Sequence, residues 1–139
     1  MASEENKTAG SEKKGRRVIV ADDDPAILRL VKTILEKENY TVVTARDGRE
    51  AYKILQNDQN FTAGVFDVVM PHISGPELVR FMKTEANLMK IPVMMMTAEQ
   101  DPKLSSESFS AGAVVFLPKP FTTSQLQIML QMLIGKSGD

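Results

Sequence analysis

Residues 63–77 read Ala63-Gly64-Val65-Phe66-Asp67-Val68-Val69-Met70-Pro71-His72-Ile73-Ser74-Gly75-Pro76-Glu77. A carboxylate interrupts an apolar run here, and an uncompensated charge in such a setting is costly. The run spans 63–69, and four more lie at residues 18–21, 40–45, 93–98 and 113–117. All are apolar almost continuously, not at alternate positions, which predicts strands buried on both faces of a parallel sheet. Between them the spacing turns helical. Ile27, Leu30, Val31, Ile34 and Leu35 fall at i, i+3, i+4, i+7 and i+8, and Leu78, Phe81 and Met82 repeat the start of that pattern.

Helix starts are marked in two ways. Asp24-Pro25 and Asp101-Pro102 place an N-cap before a proline at the first helical position. Asp47…Glu50, Ser74…Glu77 and Thr122…Gln125 have the capping-box spacing. Five strands and five helices in strict alternation predict a doubly wound α/β domain. An antiparallel α+β fold would need tight hairpins, and no connection is short enough.

The chain has 139 residues, which predicts one domain with a single core. Residues 1–16 are polar and charged without periodicity and predict a disordered tail. The domain proper then spans 17–134, and 135–139 read as a helix stop followed by a short tail or linker remnant. The basic stretch Lys13-Lys14-Gly15-Arg16-Arg17 reads first as a solvated approach to the first strand and only second as a contact for a partner. A net charge of −1 gives no general electrostatic reason to bind nucleic acid or an anionic membrane. The absence of cysteine excludes disulfides, thiol catalysis and Cys-based zinc sites, and a single histidine, His72, excludes a His-rich metal site. No apolar run is long enough for a bilayer span and no signal-peptide core is present, so a cytoplasmic protein without membrane insertion is expected.

The informative residues stand where the apolar runs stop. The first run ends in Asp22-Asp23-Asp24, the third in Asp67, the fourth at Thr97, and the fifth leads to Lys119-Pro120. In an open α/β sheet, ligands gather at the carboxyl ends of the strands, where strand order reverses. If the order is 2-1-3-4-5, one of the two common doubly wound orders, Asp22, Asp23 and Asp67 converge. Three carboxylates at one site repel, and a hard divalent cation removes the conflict. Mg²⁺, which takes one or two protein carboxylates plus phosphate oxygens, fits this inventory better than a calcium cage. A carboxylate beside such an ion can attack phosphorus, with Lys119 and Thr97 meeting the charge on the phosphoryl group. Asp24 reads as a plain N-cap.

From Arg17 to Leu133 the sequence resembles the receiver domain family of two-component response regulators, in its chemotaxis-regulator-like form. The carrying motifs are Val-Ile-Val-Ala-Asp22-Asp23-Asp24-Pro25, Asp67-Val-Val-Met-Pro71-His-Ile-Ser-Gly75, Pro-Val-Met-Met-Met-Thr97-Ala98 and Phe116-Leu-Pro-Lys119-Pro120-Phe121. The resemblance implies a flavodoxin-like sheet of order 2-1-3-4-5 flanked by five helices. It implies that Asp67 is the phosphoacceptor and that Mg²⁺ is held by Asp22, Asp23, Asp67 and the backbone carbonyl of Val69. Thr97, Ala98 and Lys119 would bind the phosphoryl group, Thr97 and Phe116 would form the switch, and the bond before Pro120 would be cis. The donor would be a histidine kinase or a histidine phosphotransfer protein. A downstream protein partner would read the surface of helix four, strand five and helix five. The chain would act as a monomer or a phosphorylation-dependent homodimer, with no direct nucleic-acid contact. It would be a switch with self-catalysed phosphoryl uptake and hydrolysis, not an enzyme acting on other substrates.

Three local expectations follow. Val69 and Glu99 lie two positions beyond Asp67 and Thr97, where the family tunes acyl phosphate hydrolysis. The fourth predicted helix, about 102–111, is serine-rich and is expected to be marginal. In the fifth, Leu126, Met129, Leu130 and Leu133 form the core face, while Ile128 and Met132 form a second apolar stripe. Two other classes are weaker. A dehalogenase-like phosphatase or phosphotransferase would carry a second aspartate where Val69 stands, and a flavodoxin-type cofactor binder would want a Ser/Thr/Gly-rich loop where three aspartates stand. A receiver fragment of a larger regulator or hybrid kinase is the nearer alternative.

Overall fold

The computed structural model describes residues 16–98, 106, 111, 112 and 115–135. Its elements are β1 (Arg17–Ala21), α1 (Pro25–Lys37), β2 (Thr41–Ala45), α2 (Gly48–Asn57), β3 (Ala63–Asp67), α3 (Gly75–Lys83), β4 (Val93–Thr97), β5 (Val115–Pro118) and α4 (Thr123–Gly135). The five strands are all parallel and ordered β2-β1-β3-β4-β5. The fold is therefore the expected doubly wound sheet, with four helices among the described residues. Glu99 lies outside those residues, as do the fourth predicted helix except residues 106 and 111, which are helical, and the tails except residues 16 and 135; α4 is the fifth predicted helix.

Alternation of side chains along the strands splits the interior into two cores. Ile19, Phe66 and Met95 point to one face and meet Leu55 of α2 and Leu78 and Met82 of α3. Val18, Val20, Val65, Met94 and Met96 point to the other face, where Leu28, Val31 and Leu35 of α1 and Leu126, Leu130 and Leu133 of α4 cover them. Fully burying side chains of this size contributes about 1.5–3 kcal/mol each, so burial on both faces makes β1, β3 and β4 the centre of stability.

The edges depart from the expectation of full burial. In β2 only Ala45 is buried, and Val42 to Thr44 are half-buried. An apolar run cannot report whether its strand has a neighbour on both sides, and β2 has one. Pro118 lies exposed on β5, the other edge, where a missing N–H does no harm. At its other end β3 stops at Asp67, and Val69, two residues on, is 64% exposed.

Capping explains the sharp strand-to-helix turns. Asp24 accepts from Ala26 N–H at 2.9 Å with Pro25 at the first helical position. Ser74 and Glu77 form a reciprocal capping box, as do Thr122 and Gln125. Asp47 accepts from Glu50 N–H at 2.8 Å, while Glu50 accepts from Arg46 N–H in place of the cap residue. The Asp24 cap starts α1 four residues after β1 ends, and the Ser74 cap starts α3 at the close of the 68–74 connection; Asp22 and Asp67 stand at the sheet rim.

Candidate functional site at the carboxyl ends of the strands

Asp22 follows directly on β1 and is fully buried. Its backbone N–H donates to Ala45 O at 3.2 Å, so its place is set by the ladder with β2. Both of its carboxylate oxygens have partners: Oδ1 accepts from Asp24 N–H at 2.9 Å, and Oδ2 accepts from Lys119 Nζ at 2.9 Å. Asp67 closes β3 and is 7% exposed, with Lys119 Nζ 3.5 Å from its Oδ2. Asp23 is exposed at the mouth. Each of the three aspartates offers an oxygen, and all three oxygens lie within 4.8 Å of one another.

Electrostatics follow from that packing. Burial first, and the neighbouring charge of Asp22 second, push the Asp67 carboxyl up to about 6, with Lys119 opposing and Asp23 adding to the rise. Burial alone would lower the Lys119 ammonium, but its hydrogen bond to Asp22 and the charges of Asp67 and Asp22 outweigh it, and the net shift is upward. Lys119 thus stays charged and serves as counter-ion to two buried carboxylates.

Lys119 is held in turn by β4. Its backbone N–H donates to Thr97 O at 2.7 Å, and the following bond to Pro120 is cis. Thr97, half-buried, ends β4, and Ala98 beside it is exposed. Phe116, half-buried on β5, packs against the core beneath the site that contains Phe66 and Met95. All the strand-end residues singled out in the sequence therefore stand at one end of the sheet. A broad groove at the opposite end, lined by Arg16, Tyr40, Phe61, Lys90, Leu130 and Ile134 among others, holds none of the three aspartates. Charge and donor chemistry, not cavity size, locate the site.

The three carboxylates fit a hard cation: they supply oxygen donors, they repel without a counter-charge, and the ammonium that compensates them comes from a flexible side chain. The family model for the response regulator receiver domain matches residues 18–131. The chain belongs to that receiver family.

Relatives are consistent in sequence and shape. The two-component response regulator ARR10 of Arabidopsis thaliana is 33% identical over 124 residues, covering 88% of this chain and 22% of that protein. Response regulator RppA of Synechocystis is 32% identical over 122 residues, covering 87% of this chain and 51% of that protein. The chain thus spans about half the length of one of these curated relatives and less than a quarter of the other. Among solved structures, chemotaxis protein CheY4 of Vibrio cholerae superposes with a TM-score of 0.80 at 33% identity, covering 85% of this chain and 98% of that one. The receiver domain of sensor histidine kinase PA1611 from Pseudomonas aeruginosa, with a magnesium ion coordinated in its active site cleft, gives a TM-score of 0.80 at 25% identity, covering 87% of this chain and 98% of that one.

Two features of this receiver were not legible as site elements. Arg49, at the start of α2, meets His72 of the β3–α3 connection, Nη2 to Nδ1, at 3.0 Å. His72 has a φ of 73° although it is not glycine. Nothing in the local sequence signals either.

Proposed function

We propose that this receiver accepts a phosphoryl group on Asp67 from a phosphohistidine donor in a Mg²⁺-dependent reaction, and that the modification changes a protein-binding surface. The single observation that carries the reading is the buried Asp67 carboxylate facing Asp22, Asp23 and Lys119. The metal ligands would be Asp22, Asp23, Asp67 and the Val69 backbone carbonyl. When bound, Mg²⁺ would hold phosphoryl oxygens beside the carboxylate and neutralise their charge.

In this scheme an Asp67 carboxylate oxygen attacks phosphorus while the P–N bond to the donor imidazole breaks, and the freed nitrogen leaves with the bonding pair. Lys119 moves its charge from the carboxylates toward the phosphoryl oxygens. The Thr97 hydroxyl and the Ala98 N–H donate to the same oxygens. Later a water attacks phosphorus, the P–O bond to Asp67 breaks, and inorganic phosphate leaves.

Thr97 also links site to surface. Phe116 pairs with Met95 in the sheet register, two residues before Thr97, so if the Thr97 hydroxyl follows the phosphoryl group the Phe116 ring would turn inward toward the volume it vacates. Phe116 has no hydroxyl, so burial alone would stabilise the inward state. The readout would be the face formed by the fourth predicted helix, about 102–111, with β5 and α4. On α4, Ile128 and Met132 are 57% and 48% exposed, which supplies apolar contact area there. Names of relatives that include a two-component regulator and a sensor histidine kinase support a kinase or phosphotransfer protein as donor. No helix among the described residues is long and apolar enough to cross a membrane.

The test is labelling by a small phosphoramidate with and without Mg²⁺. Wild type should be labelled only with Mg²⁺, and Asp67→Asn should not be labelled. Equal labelling of both proteins would sink the assignment.

A further inference from the structure

The β3–α3 connection leaves the sheet after Asp67, and two backbone bonds close its base. Val68 N–H donates to Met96 O at 3.1 Å, and Gly75 N–H donates to Val68 O at 2.9 Å. Val68 and Met70 are buried, which anchors the first half of the excursion, but Pro71 and His72 are exposed. At the tip, Ile73 N–H donates to Pro71 O at 2.8 Å around His72, whose φ is 73°. A three-residue turn with positive φ at its centre is the rarer and more strained γ-turn. A histidine persists there only if its surroundings hold it.

The surroundings are supplied by α2. Gly48, its first residue, sits so close that a Cβ would overlap the Ile73 carbonyl oxygen. Arg49, the next residue, reaches His72 Nδ1 with Nη2 at 3.0 Å. A guanidinium only donates, so Nδ1 is the accepting, unprotonated ring nitrogen. The start of α2 thus grips the far end of a segment whose near end is Val69.

We propose that Arg49 and His72 form a latch that positions the Val69 backbone for metal binding, making both of them positioning residues of the phosphorylation site. The inference rests on the reading of Asp22, Asp23, Asp67 and Val69 as the Mg²⁺ site. It does not require either side chain to touch the ion. The latch fixes the path of residues 69–71, and a carbonyl ligand on a fixed path costs less ordering when the ion binds.

Three variants separate the latch from the turn. His72→Gly accepts the positive φ but removes the acceptor. His72→Asn accepts the positive φ and keeps an acceptor oxygen. Arg49→Ala removes the donor and leaves the turn alone. Mg²⁺ affinity is measured by calorimetric titration, and initial labelling by a small phosphoramidate is followed across Mg²⁺ concentrations. His72→Gly and Arg49→Ala should each bind Mg²⁺ about three- to ten-fold more weakly, the scale of one ordinary hydrogen bond, since this contact is exposed. Labelling lost at low Mg²⁺ should return as Mg²⁺ is raised. His72→Asn should lie within about two-fold of wild type, and the double variant should be no weaker than either single, as expected for partners in one contact. Wild-type affinity in either single variant, or fully additive losses in the double, overturns the latch. Asp23→Asn is the control. If it binds Mg²⁺ as wild type does, the metal-site reading itself fails; if it loses binding while the latch variants keep it, only the latch fails.

Discussion

The Lys119 ammonium donates to Oδ2 of Asp22 at 2.9 Å, joining residues 97 positions apart in the chain. The same ammonium lies 3.5 Å from Asp67, so a single cation is shared between the two buried carboxylates of the site and offsets only part of their charge. Removal of one partner from such a cluster leaves uncompensated buried charge.

Lys119→Met should therefore destabilise the metal-free protein by about 2–4 kcal/mol at pH 8. At pH 5 the loss should be smaller, because Asp67 then takes up a proton and relieves the conflict. Urea unfolding in chelator at both pH values measures this, and adding Mg²⁺ should stabilise the variant more than wild type. A loss that is equal at both pH values would show that the ammonium is not the counter-charge of Asp67.

Asp67 itself has a pH signature of unusual sign. Its carboxyl is raised from 3.8 to about 6, chiefly by burial. Between those values the folded state holds more protons than the unfolded state, so stability falls as pH rises through that window and stays lower above it. Asp67→Asn removes the penalty. In chelator the variant should be more stable than wild type by about 1–2 kcal/mol at pH 7.5, a figure discounted for the solvent that reaches the site, and the difference should vanish below about pH 4. An Asp67→Asn protein less stable than wild type at pH 7.5 would contradict the raised value.

Val69 predicts a lifetime. It is 64% exposed two residues beyond the phosphoacceptor and cannot hydrogen-bond an attacking water. Val69→Asn supplies that bond and should speed decay of the acyl phosphate several-fold, on the scale of one added hydrogen bond. Decay of label after donor removal measures it, and a rate unchanged or lowered would end the idea.

At the amino end of β1, Arg17 forms two hydrogen bonds with Asp58, Nη1–Oδ1 at 3.0 Å and Nη2–Oδ2 at 2.8 Å, and its guanidinium lies 4.6 Å from the Phe61 ring centre. The hydrogen bond from Arg17 holds the Asp58 carboxyl below its ordinary value. The stabilisation is accordingly present above the ordinary aspartate range and lost as pH falls through the depressed value. Arg17→Lys cannot reproduce the fork and the stacking together. It should cost about 0.5–1 kcal/mol near neutral pH, less at pH 2, by thermal or urea unfolding.

The parts of this molecule that were readable in advance are those written in contiguous chemistry. Asp24-Pro25, Asp47, Ser74…Glu77 and Thr122…Gln125 all cap helices. The aspartates that interrupt apolar runs stand together because parallel strands bring their carboxyl ends to one rim. What stayed hidden depends on neighbours far along the chain. The half-burial of β2 follows from its edge position, which Val42 and Val43 do not encode. The Arg17–Asp58 pair spans 41 residues. Asn39, at φ 71°, and His72, at φ 73°, take left-handed backbone conformations where glycine would have been the readable signal.

Gly75 gives the sharpest test of how the fold serves the site. It opens α3 directly beneath the phosphoacceptor, and a Cβ there would overlap the Asp67 carbonyl oxygen and come within 2.9 Å of Met95 Sδ and 3.2 Å of Val68 Cα. The Met95 sulfur can yield, being the end of a flexible side chain, but the Asp67 carbonyl and Val68 Cα belong to the rim of the sheet. Gly75 N–H also donates to Val68 O at 2.9 Å, so displacing α3 breaks the bond that closes the β3–α3 connection. Gly75→Ala should then cost about 1–3 kcal/mol of stability, as overpacking against fixed backbone does. The loss should exceed what a helix propensity gain of about 1 kcal/mol can offset. Because the strain falls on Asp67 and on Val68, the residue before the Val69 carbonyl, phosphoramidate labelling should fall in the fraction of protein that remains folded, with weaker Mg²⁺ binding. Gly135→Ala is the matched control, since a Cβ at Gly135 meets nothing within 4 Å. Full labelling and wild-type stability in Gly75→Ala would mean that α3 can move away without dragging the rim, and that its close packing is not what holds Asp67 in place.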